Sequence, residues 1–469
     1  MELQIVFVSN YINHHQIPFC QELHQKLGEG FCFIQTQAMD QERVQMGWNG
    51  QEKLPFVKYY EEQPQECDRW IMESRVVLFG GTDEEGYIAP RLEAGKPVFR
   101  YCERMYKTGQ WKAVSPRGLK KKYHDHTRYR KAPVYLMCAG AYVPSDYHIV
   151  RAYPGKMYQW GYFPECKTYD VEKLMGGKGW SAEEEAARVR SGENGRMYLG
   201  EEDSMRSGEK RQASTCRGGE SEKLPYLLWA ARFIDWKHPQ LPVKMAAGLK
   251  ARGCRFHMDI IGGGELEEEV KGLVKALQVE DCVSLLGFRK PEEVRTYMEK
   301  ADIYLVTSDR QEGCGAVVNE AMNSGCAVVA NHMIGAVPYL IDPERNGRIY
   351  YDKDEAMLLD MLTELCRDKG MCRRLGEEAY RTITREWNPQ VAAARFLELL
   401  DRLEILHVEG GAAGAVSTED ACSSAPAAGA CSCAPVPTTG PCSPAPVIGE
   451  PAMKRLLKRR AAANRRDLQ

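Results

Sequence analysis

Short apolar runs alternate with amphipathic stretches along most of this chain. LQIVFVSN (Leu3 to Asn10) is a continuous apolar run, the pattern of a strand buried on both faces. Pro18 opens PFCQELHQKLG, where Phe19, Leu23 and Leu27 recur at helical spacing until Gly28 ends it. Phe31 to Thr36, Val76 to Gly80, Pro97 to Tyr101 and Pro133 to Gly140 read as further strands. Strands separated by helix-length text imply βαβ units with right-handed crossovers. The same style resumes at Leu224. LPYLLWAARF, Phe256 to Gly264, CVSLLGF, DIYLVTS and CAVVAN read as strands. ELEEEVKGLVKALQ, PEEVRTYMEKA and GAVVNEAMNSG are the helices between them, and a last helix is expected over Pro389 to Ile405, with Val391, Ala394, Leu397 and Leu400 at helical spacing.

Two stretches break this pattern. Residues 176–223 are rich in charge, Gly and Ser, with too few apolar groups for a core, and are expected to form a flexible insertion. After His407, Gly, Ala, Ser and Pro dominate up to Ile448, so residues 406–469 are expected to be disordered. This tail repeats Cys-Ser-x-Ala-Pro at Cys422, Cys431 and Cys442, and ends in the basic text PAMKRLLKRRAAANRRDLQ. The expected divisions are an N-terminal domain over 1–175, the insertion, a second domain over 224–388, a crossing helix over 389–405 and the tail.

Composition narrows the classes. The 469 residues carry 63 Lys plus Arg against 65 Asp plus Glu, a net charge of -2, which argues against a dedicated nucleic-acid binder. The 17 cysteines are scattered without a CxxC pair and read as mostly buried thiols of a reducing compartment. The start MELQIVFVSN reads as a strand rather than a signal peptide, and no apolar run reaches membrane-spanning length. A cytoplasmic protein is expected.

Chemistry concentrates in DIYLVTSDRQEGCGAVVNEAMNSG. A strand ends at Thr307, a loop carries Glu312, and Gly313 and Gly315 lead into a helix holding Glu320 in its second turn. Small residues at a helix start admit a ligand to the backbone, whose free N–H groups suit a phosphate. Two glutamates eight apart are common by chance, but strand, loop, glycines and helix in this order favour a site. Arg232 and Lys237 follow another strand, where ligands bind open α/β sheets, and two cations there suit a diphosphate. GGGEL, with Gly263 and Gly264, resembles a phosphate-cradling turn but is not GxGxxG. No metal-ligand cluster is visible.

From Leu224 to Leu400 the chain resembles the nucleotide-binding domain of family 4 glycosyltransferases, retaining enzymes of the GT-B fold with two Rossmann-like domains facing across a cleft. ARFIDWKHP, IIGGGEL, LLGF, EGCGAVVNEAMNSG and the last helix after Trp387, Asn388 and Pro389 occur in the family's order. The resemblance implies that Arg232 and Lys237 hold the donor diphosphate and that Glu312 holds the sugar hydroxyls. It further implies that Glu320 binds the ribose and that Gly313, Cys314, Gly315 and Ala316 offer backbone donors. Leu286, Gly287 and Phe288 would line the base pocket. Cys314 departs from the aromatic or bulky residue usual there, and NHMIGAVPYLI is less glycine-rich than usual. The N-terminal half resembles bacterial members that build cell-surface polysaccharide. His14 and His15 replace the usual glycine pair of the first loop and are either contacts to acceptor or phosphate, or surface histidines at a helix start. Glu103 and Arg104 follow another strand end and are either cleft residues or a solvent ion pair.

The resemblance thus implies a nucleotide-diphosphate sugar as donor, a glycan or lipid-linked acceptor, and neither cofactor nor metal. The basic terminus is either a weak peripheral membrane contact through anionic lipid, or a solvated tail. The rival function is a non-catalytic nucleotide-sugar-binding or assembly protein of the same fold.

Overall fold

A computed structural model describes residues 3–39, 54–110, 113, 115–181, 223–408 and 440–446. The chain divides into two compact units. The first comprises Met1–Glu165 together with Arg385–Gly449, and the second begins at Cys166 and runs to Thr384. The sequence boundary at 175 therefore falls ten residues late. Cys166 to Gly177 belong to the second unit because Lys167 and Tyr169 bond to it: the Lys167 N–H donates to Asn323 Oδ1 at 2.8 Å and the Tyr169 N–H to Tyr380 Oη at 2.9 Å.

The first unit holds seven parallel strands. They are β1 (Ile5–Ser9), β2 (Phe31–Gln35), β3 (Val57–Tyr59), β4 (Val76–Gly80), β5 (Val98–Cys102), β6 (Val134–Ala139) and β7 (Met157–Trp160), in the order β3-β2-β1-β4-β5-β6-β7. The second holds β8 (Tyr226–Ala230), β9 (His257–Ile261), β10 (Val283–Gly287), β11 (Ile303–Val306), β12 (Ala327–Asn331) and β13 (Gly347–Tyr350), in the order β10-β9-β8-β11-β12-β13. Every residue of β1, β4, β9 and β12 is buried, as the continuous apolar runs require of parallel strands covered by helices on both faces. Three strands escape the apolar-run criterion. β3 and β7 are sheet edges, β13 is the far edge of the second sheet, and each is three or four residues of mixed polarity.

In each sheet the strand order reverses once, between β1 and β4 and between β8 and β11. Such a reversal leaves a crevice at the carboxyl ends of the two strands, the usual ligand position in this class of fold. In the first unit Gly81, at φ +78°, occupies this point: a Cβ there would lie 2.3 Å from Ser9 Oγ.

The last helix, Pro389–Arg402, packs on helix Ile17–Leu27 of the first unit. Asn388 caps it, accepting from the Val391 N–H at 2.8 Å. Its buried face is Ala392, Ala393, Phe396, Leu399 and Leu400, one residue round from the Val391–Ala394–Leu397 stripe. Phe396 sets that rotation, with its ring 5.3 Å from Phe99 and 6.0 Å from Trp160.

Both composition-poor stretches differ in part from expectation. At the start of the insertion, Trp180 pairs with Leu224 and stacks on His257 at 3.8 Å. In the tail, residues 440–446 pair with β7 through Tyr158 and Pro444. Backbone pairing secures both pieces, with the Trp180 ring against His257 in the first and small side chains in the second. The remainder of both stretches lies outside the described residues. The described cysteines are thiols, and most of them are buried.

Candidate active site

In the second unit the residues that resemble a donor site converge on the carboxyl ends of β8, β9, β10 and β11. Three loops are laced together there. The Ala231 N–H donates to Ile261 O at 3.1 Å, Phe233 N–H to Gly263 O at 2.8 Å, and Gly262 N–H to Gly287 O at 2.9 Å. The glycines are dictated by this lacing. Gly262 and Gly264 have φ of +142° and +144°, and a Cβ would meet Ala231 O at 1.9 Å and Phe233 O at 2.8 Å respectively. Gly263 is the one of the three with a negative φ, and Gly287 has φ +66°. Leu286 is buried beneath this edge while Phe288 is exposed.

Lys237 sits in a single 3-10 turn, Asp235–Lys237, directly after β8. Its ammonium pairs with the Glu312 carboxylate, both side chains being largely buried, and lies over the Trp236 ring at 4.4 Å. Thr307, at the end of β11, fixes the turn: its Oγ1 accepts from Trp229 Nε1 at 2.7 Å and donates to Lys237 O at 2.5 Å. Asp309 adds a second tie, its N–H donating to Trp236 O at 3.0 Å. Its carboxylate lies 3.6 Å from His238 Nε2. The Asp309 bond raises the His238 pKa against the effect of burial. Burial acts to raise Asp309, but the His238 bond and the Gln311 N–H outweigh it and the net shift is downward. Arg232 stands exposed on the same loop.

Opposite this turn the segment from Glu312 to Glu320 forms loop and helix as expected. Gly315 is the N-cap of helix Ala316–Asn323, at φ +89°, and a Cβ would lie 2.6 Å from Ile334 Cγ2 and 3.3 Å from Glu312 Cγ. Gly313 and Cys314 are buried, and Ala316 is half-buried. The buried Cys314 suits a neighbour that approaches closely: Ala336 N–H donates to Cys314 O at 2.7 Å and Gly335 N–H to Glu312 O at 3.4 Å. The loop after β12, irregular by sequence, thus clasps the loop carrying Glu312. Glu320 is half-buried in the second turn, and desolvation raises its pKa against the pull of Arg295. Tyr304 lies nearby, its hydroxyl donating to Ala230 O at 3.1 Å and so bridging β11 to β8.

The far end of the same helix is held by Lys178, a residue assigned by sequence to the flexible insertion. It is 8% exposed. Its ammonium donates to Ala301 O at 2.7 Å and Ser324 O at 2.9 Å, with Met298 O at 3.3 Å further off. These carbonyls end helices Pro291–Lys300 and Ala316–Asn323, where a cation also favours the dipole. Asp309, His238 and Lys178 were given no role by the sequence, and Thr307 had only a weak signal, a polar residue ending a buried strand.

In the first unit, His14 and His15 follow β1 on a turn fixed by Asn13, whose Oδ1 accepts the His15 N–H at 3.0 Å. Their rings lie 3.8 Å apart, with Tyr162 at 5.6 Å from His15. Glu103 is half-buried, accepting from Lys107 at 2.6 Å and Tyr162 at 3.1 Å. Arg104 instead turns inward, its Nε 3.8 Å from Asp146 Oδ2 with both side chains fully buried. Asp146 also accepts the Tyr106 N–H at 3.0 Å and Gln110 Nε2 at 2.9 Å, so this group holds the loop after β5. Arg104 therefore forms no solvent ion pair, because burial of Asp146 draws it into the interior, whereas Glu103 forms a partly exposed one with Lys107.

Two Rossmann-like parallel sheets with these edge loops define the GT-B fold class. Residues 211–382 match the family described as glycosyl transferases group 1. Over 182 residues the chain is 30% identical to the amylovoran biosynthesis glycosyltransferase AmsK of Erwinia amylovora, covering 38% of this chain and 44% of that protein. It is 26% identical over 183 residues to the putative colanic acid biosynthesis glycosyltransferase WcaL of Salmonella typhimurium, covering 38% of this chain and 45% of that protein. The matched region thus spans under half the length of these curated relatives. Among solved structures, Anabaena Alr3699/HepE in complex with UDP is similar in fold at TM-score 0.57 and 13% identity, over 85% of this chain and 100% of that one. The lipopolysaccharide outer core galactosyltransferase WaaB in its apo form is similar at TM-score 0.55 and 14% identity, over 86% of this chain and 100% of that one. No helix among the described residues is long and apolar enough to cross a membrane.

Proposed function

We propose that this protein is a retaining glycosyltransferase that moves a sugar from a nucleotide-diphosphate donor to a glycan or lipid-linked acceptor in cell-surface polysaccharide synthesis. The observation that carries this reading is the Lys237–Glu312 pair beside the Gly315-capped helix, at the strand-order reversal of the second sheet. When donor binds, Lys237 exchanges Glu312 for diphosphate oxygens, and the released carboxylate accepts hydrogen bonds from sugar hydroxyls near the anomeric carbon. Arg232 adds a second cation. Negative charge grows on the leaving diphosphate as the sugar–oxygen bond breaks, and cations fixed beforehand stabilise that charge without reorganising. Backbone N–H groups from Gly313 to Ala316, at a helix start, face the same charge. Glu320 takes the ribose hydroxyls, and Gly263, Gly264, Leu286, Gly287 and Phe288 receive the rest of the nucleotide. In this reading the cationic side chains do the work of a divalent ion, so turnover persists in EDTA.

Uridine diphosphate sugars are the first donors to try, because the similar HepE structures are complexes with UDP, UDP and glucose, and UDP-glucose. Lys237→Ala, Glu312→Ala and Arg232→Ala are each expected to lower turnover by about two orders of magnitude or more, the loss typical of one preorganised charge contact. Unchanged turnover in all three, with the donor still hydrolysed or transferred, would sink the site assignment. Binding without turnover by the unaltered protein would point to a nucleotide-sugar-binding or assembly role instead. The anomeric configuration of the product, read by NMR, tests retention.

A further inference from the structure

The seven-stranded sheet should end at β7 with an unpaired edge, a ready template for another strand. Instead the edge is occupied by residues 440–446. The Gln159 N–H donates to Ser443 O at 2.8 Å, Cys442 N–H to Gln159 O at 2.9 Å, and Ala445 N–H to Met157 O at 2.9 Å. Tyr158 and Pro444 face each other in antiparallel register. Pro441 and Cys442 form a turn within Gly440 to Ser443, with Cys442 at φ +61°. Cys442 is 4% exposed, and Ala445 packs against the core of the sheet. Gly440 lies against Arg395 of helix Pro389–Arg402: a Cβ there would be 1.7 Å from Nη1.

This segment is the third copy of the Cys-Ser-x-Ala-Pro repeat. The three copies differ only at x, which is Ser424, Cys433 and Pro444. In the seated copy, x is the position with no task. Pro444 is exposed, and its backbone donates nothing, since proline has no N–H. The positions that bond or bury, namely the Cys N–H and side chain, the Ser carbonyl and the Ala N–H and methyl, are those the copies share. The shared Pro restricts the preceding Ala to extended backbone, as strand addition needs. The second copy also has a glycine two residues before its cysteine, Gly429, as the third has Gly440. Within the five residues from Cys to Pro, variation confined to the solvent-facing position is what a groove that reads the rest would leave.

We propose that the β7 edge is a strand-addition groove for the Cys-Ser-x-Ala-Pro repeat, occupied by the third copy and open to the second as an alternative ligand. Main-chain bonds supply the attachment, and the Cys and Ala side chains supply recognition. Because the ligand is carried by the chain itself, a copy from a second molecule competes at the same groove.

The full chain carrying Cys422→Pro, Cys431→Pro and Cys442→Pro tests this, since each change removes the cysteine N–H and forbids a positive φ. Hydrogen exchange at the Gln159 amide is the readout. It is expected to be slow in the unaltered chain, faster by at least about tenfold in the triple variant, and slow again when peptide 440–446 or peptide 429–435 is added. Restoration by 440–446 alone, restoration by neither peptide, or no change in the triple variant would each overturn the proposal. A second measurement needs no substitution. Cys442 of the intact chain is expected to react with iodoacetamide at least about tenfold more slowly than in the free 440–446 peptide, and equal rates would overturn the seating.

Discussion

Lys237 and Glu312 come from segments 75 residues apart, and each is held by groups with no chemical role of their own. Gly315 shows how tight that support is. Its φ of +89° and its closeness to Ile334 leave no room for a side chain, so Gly315→Ala is expected to destabilise the protein by about 1–3 kcal/mol. It should also lower activity, because relief of the clash moves Glu312. Thermal melting and donor affinity check both effects. His238 supplies the pH dependence. Its pKa is raised in the folded protein, so its contribution to stability is complete below the unfolded value of about 6.5. That contribution is lost as pH rises through the raised folded value. Asp309, lowered, contributes above its unfolded value near 3.8 and loses that contribution as pH falls through the folded value. The difference in melting temperature between the unaltered protein and His238→Gln is therefore expected to be largest between about pH 4 and 6.5, and to shrink toward pH 9. A constant difference across that range would contradict the assignment.

The helix Ala316–Asn323 is short for the work assigned to it, and isolated helices of this length do not persist in water. It is held at both ends: Gly315 and the loop after β12 at its start, Lys178 at its finish. Removing the ammonium leaves buried carbonyls of two helices unsatisfied. Lys178→Met is expected to cost about 2–4 kcal/mol, read as a lower midpoint in urea. The sequence shows the helix but not Lys178, because a lone lysine in charged text gives no sign that it is buried. It shows the apolar strands for the same reason it misses β3, β7 and β13. Burial on both faces of an apolar run leaves a signature of continuity, and three or four residues of mixed polarity leave none.

For the whole molecule, residues 440–446 change what can be asked of the tail. Removing everything after His407 would strip the β7 edge as well as the basic terminus. Neutralising Lys454, Arg455, Lys458, Arg459, Arg460, Arg465 and Arg466 instead leaves the seated segment in place. If the terminus contacts anionic lipid, this variant is expected to lose co-sedimentation with phosphatidylserine vesicles by about tenfold at low salt while keeping its melting temperature. Equal co-sedimentation would leave the terminus as a solvated tail.

What the sequence determined by itself is what local pattern can encode. Apolar runs specified two parallel α/β sheets, and ordered motifs specified the donor-site segments, because strand burial and backbone approach each demand particular residues in a row. What only the tertiary structure decided depends on partners distant along the chain. Arg104 turns inward because Asp146 waits there, and Lys178 is buried because two helix ends lack donors. A tail poor in large apolar residues still seats one copy of its repeat, because an open strand edge offers hydrogen bonds that no composition count can register.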